Sequence, residues 1–414
     1  MSNEVKIYYR FNTGEEKKYL LDNKNEYHGI VISAHICTFY SDMIMSFLKK
    51  VKKPYFVDPI TYIFGLSPDA MKKDGGDLKK SYEQLINYYG EPFSDFLGRD
   101  KLDPSILSSS EKEKLVKKTL ELQKNLLSET GPSQRSLNEY IHIMGGNDDE
   151  EDHLEFLIPP YFYSKNIDDE FYKLSLELSL IARDLEEDAR ITPVICISKE
   201  LLEDENHISQ VIQDYSTFDS CIIWLANFNE KREDVVSLTR YTNFIDMFSE
   251  QFETLITLYG GEFSLISSKF GLTGMASGIC YSSYKDPEKI ASGGGFPLRY
   301  FIPEAHTKTV EANARTYYTK HKEMLCECSV CSGLKNDYGS AEEFFKNLGR
   351  ENAKTHFIHK LHEIKKEIEQ TDISDIRNTL YHDLKVCKNN KLMENFEIDY
   401  SHIARWIKVL GRYD

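Results

Sequence analysis

Short apolar, β-branched runs alternate with amphipathic stretches along most of the chain, and no other feature limits the fold as strongly. The runs are GIVISA at 29–34, PYFVDP at 54–59, EFLIPPYFY at 155–163 and TPVICIS at 192–198. They continue as DSCIIWLANF at 219–228, TLITLYGG at 254–261, GMASGICYS at 274–282 and GGGFPLRYFIPEAH at 293–306. Each is short, bounded by glycine or polar residues, and fits a strand buried on both faces. Between them lie helix-like stretches such as FYSDMIMSFLKKVKK and DDEFYKLSLELSLIARDLEED. About eight strands separated mostly by helices predict an α/β fold, a TIM-like (β/α)8 barrel. An open doubly wound sheet is the other arrangement of the same pattern. Residues 1–28 read as a short strand or hairpin followed by a turn.

The expected organisation has four parts. Residues 1–65 hold N-terminal strands and the start of the barrel. Residues 66–150 are lysine- and glutamate-rich and form a helical insertion or linker, ending in the acidic loop GGNDDEEDH, which reads as solvated rather than metal-binding. Residues 151–310 complete the barrel. Residues 311–414 form a C-terminal helical subdomain.

The net charge of −16 argues against a protein that coats nucleic acid through phosphate charge alone. The stretch from Lys346 onward is nearly charge-balanced, so a nucleic-acid contact is expected near the C-terminus. No apolar run approaches the roughly 20 residues of a membrane span, and the N-terminus has no signal-peptide core. A soluble, cytoplasmic protein without membrane contact is expected. Cys37, Cys196, Cys221, Cys280 and Cys387 are scattered and read as reduced core residues.

Three more cysteines lie together in CECSVC, where Cys326, Cys328 and Cys331 follow the spacing C-x-C-x2-C. Thiolates are zinc ligands, and a structural zinc site takes four ligands in a tetrahedron. A redox dithiol would favour an isolated C-x-x-C beside a thioredoxin-like βαβ start, which is missing. The segment THFIHKLHEIKKEIEQ offers His356, His359 and His362 for the fourth position. Four protein ligands leave no open coordination site, so the zinc is expected to be structural rather than catalytic.

In a barrel, strand C-termini face the site. Those positions are Asp58, 159–163, Ser198, 227–230, 259–262, 277–281, Glu304 and His306. Arg299 follows a glycine run that could cradle phosphate. The glycine-rich GLTGMASG at 271–278 lies at a strand mouth, where small residues would let a planar base or sugar approach the backbone and would equally permit tight packing.

A late C-x-C-x2-C followed roughly 25 residues on by a helical His resembles the tRNA-guanine transglycosylase (queuine tRNA-ribosyltransferase) family. That family is a (β/α)8 barrel with a zinc subdomain after its last strands, and it exchanges guanine in tRNA for a deazaguanine base. The resemblance implies His356 as the fourth ligand of a structural Zn2+. PYFVDPITYIF is similar to the family strand ending in a pocket aspartate, which places Asp58 there, with Pro59, Ile60 and Thr61 in place of the family's Ser-Gly-Gly. FDSCIIWLANFNE matches at Phe218, Asp219 and Glu230, with Trp224 and Leu225 in place of a glycine pair. LYGGEFSLISSKFGLTGMASG looks like the family's nucleophile segment, but Ala276 stands at the nucleophilic aspartate and Ser277 follows it. Pro159 and Pro160 stand where the family has a base-reading aspartate.

The resemblance therefore implies a divergent zinc protein that recognises or modifies a base in nucleic acid, tRNA or DNA. If active, it is a transglycosylase-like pentosyltransferase, a transferase with Asp58, Asp219 and Glu230 as catalytic candidates. Tyr259, Gly260, Gly261, Ser277, Arg299, Glu304 and His306 are the substrate-binding candidates. The competing expectation is a non-catalytic accessory subunit with a vestigial pocket, as a homodimer or heterodimer. A third is a small-molecule enzyme of unrelated chemistry on the same fold.

Overall fold

The computed structural model describes residues 4–73, 76–90, 93–94, 101–126, 153–187, 189–279, 283–289 and 297–413. Its centre is a curled sheet of seven parallel strands in the order β3-β2-β1-β7-β6-β5-β4. These are β1 (Lys6–Phe11), β2 (Gly29–Ser33), β3 (Tyr55–Asp58), β4 (Val194–Ser198), β5 (Ser220–Ala226), β6 (Thr254–Thr257) and β7 (Gly274–Gly278). Helices such as Ser41–Val51, Glu170–Leu185 and Val235–Ser249 connect them. From β2 to β7 every strand residue is buried, as a parallel sheet covered on both faces requires.

Segment 153–164 runs between the two outer strands. It makes parallel bridges from Leu154 to Tyr55, from Leu157 to Ile191 and from Ser164 to Ile197. Pro159 and Pro160 at its middle have no N–H to give, so a regular ladder cannot form there. The insertion helix Ser109–Lys124 compensates: Gln123 donates to the Ile158 carbonyl (2.7 Å) and accepts from the Ile158 N–H (2.9 Å). That helix starts with a capping box between Ser108 and Glu111 and buries Leu115, Val116 and Leu120. Part of the expected helical insertion is thus packed core. Most of the acidic loop, residues 145–152, lies outside the described residues.

Two expectations need correction. The N-terminal KIYYRF is an interior strand, because β1 pairs with both β2 and β7. The last expected strand, β8 (Arg299–Ile302), leaves the sheet and pairs antiparallel with β9 (Thr307–Val310). Its apolar residues are buried against C-terminal helices instead of against β7. Those helices include Glu311–Lys320, Ser329–Asp337, Ala341–Gln370, Ile373–Asn389 and Ser401–Leu410. The long Ala341–Gln370 helix kinks at Gly349, whose φ of 62° is left-handed.

Candidate functional site

Two places concentrate chemistry. The first is the cysteine knot. Cys328 caps the helix Ser329–Asp337, Cys331 lies in its first turn, and His356 comes from the long helix after the kink. The ligand atoms of Cys326, Cys328, Cys331 and His356 all lie within 4.8 Å of one another, and all four residues are buried. The arrangement could hold a metal ion. His356 Nδ1 stands 3.4 Å from both the Cys328 and Cys331 sulfurs. Its Nε2 is 2.9 Å from the Phe301 carbonyl. A proton on Nε2 satisfies that carbonyl and leaves the Nδ1 lone pair facing the sulfurs, as outer-sphere partners of metal-bound histidines do. The ring stacks on Tyr300 at 4.2 Å, and the Tyr300 hydroxyl lies 3.2 Å from the Cys331 sulfur. Hydrogen bonds from Cys326 and Cys331 hold the Cys328 thiol down at about 3. His359 and His362 turn instead toward Glu26, at 3.2 and 3.6 Å.

The second place is the set of strand ends around Asp58. Arg10, at the end of β1, donates to Asp58 Oδ2 at 2.8 Å and to the Ser33 hydroxyl at 3.3 Å. Asp58 Oδ1 accepts from the Tyr161 hydroxyl (2.7 Å) and from the Ile60 N–H (3.0 Å). Ile60 reaches it with φ 49°, a conformation a β-branched residue rarely adopts. Both carboxylate oxygens are therefore committed. The Tyr259 ring lies under the Arg10 guanidinium at 4.7 Å. Tyr62, Tyr161, Trp224 and Tyr259 form a linked aromatic group around these charges. Among the described residues, Arg10 Nη1 is buried with no hydrogen-bond partner.

The other sequence candidates scatter. Asp219 is exposed and precedes the first residue of β5, at the opposite end from Glu230. Glu230 is buried and caps the helix Glu262–Ile266. It accepts from the backbone of Gly261 (3.1 Å), Phe263 (3.2 Å) and Ser264 (3.1 Å) and from the Ser264 hydroxyl (3.0 Å). Burial raises its pKa. The two glycines serve packing: a Cβ on Gly261 would sit 2.2 Å from Glu230, and one on Gly260 2.7 Å from Ser264 and Thr257. Ser277 is buried in β7, its hydroxyl 3.4 Å from the Gly278 carbonyl.

The β8–β9 hairpin carries Arg299, Glu304 and His306 onto the C-terminal helices. Glu304 accepts from the Tyr317 hydroxyl (3.0 Å), and burial pushes it up to about 7. His306 bridges Glu262 (2.7 Å) and Asp383 (3.0 Å). Burial alone would lower its pKa, but hydrogen bonds to Asp383 and Glu262 and their charges raise it to about 9. The expected glycine loop beside Arg299, residues 290–296, lies outside the described residues.

Sequence reading missed Arg10, Tyr62 and Lys285. Arg10 had a signal: it ends an alternation Lys6, Tyr8, Arg10 that places three polar residues on one face of β1. Lys285 had none. No protein-family model matches the chain, and neither does any curated protein. Among the described residues, no helix is long and apolar enough to cross a membrane.

Proposed function

We propose that this chain is a divergent, zinc-bearing relative of the tRNA-guanine transglycosylase family that takes a base of a nucleic acid, tRNA or DNA, at its strand ends. The observation that carries this reading is the buried Cys326/Cys328/Cys331/His356 cluster against β8, with Phe301 and Tyr300 orienting its histidine. Three thiolates and an imidazole suit zinc, and with four protein ligands the metal supplies structure only. Closure of the sheet as a (β/α)8 barrel is supported by segment 153–164, which bridges to β3 on one side and beside β4 on the other, in chain order. Tyr62, Trp224 and Tyr259 bring aromatic rings, the residue type on which bases stack, to the strand ends, where they pack on one another. Buried, unpaired thiols fit a cytoplasmic setting.

A second reading, a non-catalytic accessory subunit, is favoured by one feature of the same place. Ala276 offers no carboxylate, and both Asp58 oxygens are taken. Binding of tRNA, single-stranded DNA and duplex DNA at two salt concentrations tests the first reading. Preference for one of them that survives the higher salt supports it, because phosphate-driven affinity falls steeply with salt. No binding to any of the three overturns base recognition by the isolated chain and leaves a partner protein to be sought.

A further inference from the structure

The N-terminal ends of β2 and β3 lie side by side at the pole of the sheet opposite Asp58, with Ile30 paired to Tyr55. Three segments bring lysines there. Lys24 stands in the turn before β2, Lys52 and Lys53 join the helix Ser41–Val51 to β3, and Lys365 lies on the long helix Ala341–Gln370. Lys365 is buried and taken by Glu4 at 2.7 Å. Glu26, Glu155 and Glu369 at the same pole are also taken. Glu26 faces His359 and His362, Glu155 accepts from Lys6 and Tyr8 at 2.7 Å each, and Glu369 accepts from the Val5 N–H at 2.8 Å. Among the described residues, Lys24, Lys52 and Lys53 form no ion pair. The half-buried Lys53 holds its ammonium 5.6 Å from the Tyr27 ring. Burial, and then the Lys24 and Lys365 charges, lower its pKa against the pull of Glu4. Lys52 is exposed and ends its helix at φ 49° and ψ 53°, the left-handed conformation in which glycine is the usual residue. The chain keeps a lysine there against the preference of the backbone, in a protein whose net charge is −16. Unpaired cations that repel one another on an acidic protein mark a place for a polyanion.

We propose that Lys24, Lys52 and Lys53 form a docking surface for the phosphate backbone of a nucleic acid. Lysines meet phosphates as point charges, and such contacts position a nucleic acid without reading its bases. The contact is therefore sequence-independent. It goes beyond the base-binding reading and does not rest on it, because it lies at the opposite ends of the strands. A lipid surface fits less well: it needs apolar side chains beside the cations, and no exposed large apolar residue lies on these three segments among the described residues. The competing anion belongs to the chain itself. Residues 148–152, DDEED, lie outside the described residues but run directly into His153, whose carbonyl accepts from the Tyr55 N–H at 2.9 Å.

The full chain is titrated with a fluorescein-labelled single-stranded oligonucleotide, with a second of scrambled sequence, and with phosphatidylserine vesicles, at salt from about 50 to 200 mM. The expected result is equal binding of both oligonucleotides, with an affinity that falls steeply with salt. The triple variant Lys24→Gln, Lys52→Gln, Lys53→Gln weakens both and flattens the logarithmic salt slope by about 2, since each phosphate contact on a single strand contributes about 0.7. The double variant Lys385→Gln, Lys388→Gln, two exposed lysines of the helix Ile373–Asn389, leaves the slope unchanged. Lys52→Gly weakens binding while its melting temperature stays level or rises, because glycine suits the left-handed backbone. An unchanged slope in the triple variant overturns the proposal. So does a slope that flattens in the double variant instead, or a Lys52→Gly protein that melts lower and binds normally. Tighter binding to vesicles than to either oligonucleotide assigns the surface to lipid and overturns it. No binding by the unaltered protein overturns it too, and binding that then appears when Asp148, Asp149, Glu150, Glu151 and Asp152 are changed to Asn and Gln makes that run the occupant. The base-binding reading stands or fails separately, on a preference among nucleic acids that survives the higher salt.

Discussion

The cysteine knot and the strand-end site are both buried and both rich in ionisable groups, yet they are built in opposite ways. At the knot, three ligands come from six consecutive residues and the fourth from one helix, and every donor converges on one point. At the strand ends, Arg10, Asp58, Tyr161, Trp224, Tyr259 and Lys285 each arrive on a different segment, and one pair of opposite charges, Arg10 and Asp58, meets directly. The knot is a set of four donors that could hold one metal ion. The Arg10–Asp58 pair satisfies both Asp58 oxygens but leaves Arg10 Nη1 without a partner among the described residues, and the second cation there, Lys285, is bonded to the Tyr62 hydroxyl. The contrast is one of construction: the knot draws its four donors to one point among the C-terminal helices, and the strand ends hold one buried ion pair within an aromatic group.

The sharpest way to break that contrast is at the knot. Cys331→Ser removes a sulfur donor of the cluster that is fully buried and 3.2 Å from the Tyr300 hydroxyl. Structural zinc in small domains contributes apparent binding energies of about 10–16 kcal/mol, so loss of most of it unfolds the lobe that depends on it. The expected result is loss of bound metal by elemental analysis and a large fall in Tm, reproduced in the unmodified protein by a strong chelator. A chelator-insensitive Tm would mean the cluster is only a packed core.

The next effect belongs to the strand ends. Asp58→Asn leaves the Arg10 guanidinium buried without its counter-charge, which costs about 3–5 kcal/mol in comparable pairs. Denaturant titration should show that loss. The same change at Asp219, which is exposed, should stay within about 0.5 kcal/mol. Equal effects at the two positions would refute the structural distinction between them.

Why one region was legible in the sequence and the other only partly so follows from how each is assembled. Local spacing brings Cys326, Cys328 and Cys331 together, so the chain itself records the knot. The strand-end site depends on register and on which strands belong to the sheet. β1 was set apart because Lys6 and Arg10 interrupt its apolar run, although both sides of it are paired. β8 was counted in because residues buried against Tyr318, Phe345 and His356 look the same in sequence as residues buried in a sheet. The sheet therefore has seven strands rather than eight: β1 joins it, β8 leaves it, and the 155–163 run makes only isolated bridges at its edges. Asp219 and Glu230 bracket one strand, and periodicity does not say that the first sits at its start. The proline segment is a case of tertiary rescue: Gln123, far away in sequence, supplies the pairing that Pro159 and Pro160 deny.

A weaker effect should appear at His306, which bridges Glu262, in the helix Glu262–Ile266, to Asp383, in the helix Ile373–Asn389. Its folded pKa, about 9, lies above its ordinary value of 6.5. The stabilisation is therefore complete below pH about 6.5 and is lost as pH rises through about 9. Melting curves should show Tm falling across that window, and His306→Gln should flatten the fall. A Tm constant from pH 6.5 to 9 would remove the charged bridge.

The smallest effect is the most discriminating, because Glu230 and Asp58 are both buried carboxylates at strand ends. Asp58 faces a formal positive charge, whereas Glu230 faces N–H and hydroxyl dipoles at the start of a short helix. Burial already raises the Glu230 pKa, so its charge is the less valuable of the two. Glu230→Gln keeps one acceptor oxygen but turns an NH2 toward donors. Loss of part of this cap should cost about 1–3 kcal/mol, less than Asp58→Asn, with the same readout. Gly261→Ala drives a methyl into the same carboxylate and should cost a similar amount. If Glu230→Gln proved as damaging as Asp58→Asn, Glu230 would be a charge that the fold requires, not a cap, and the distinction between the two carboxylates would have to be redrawn.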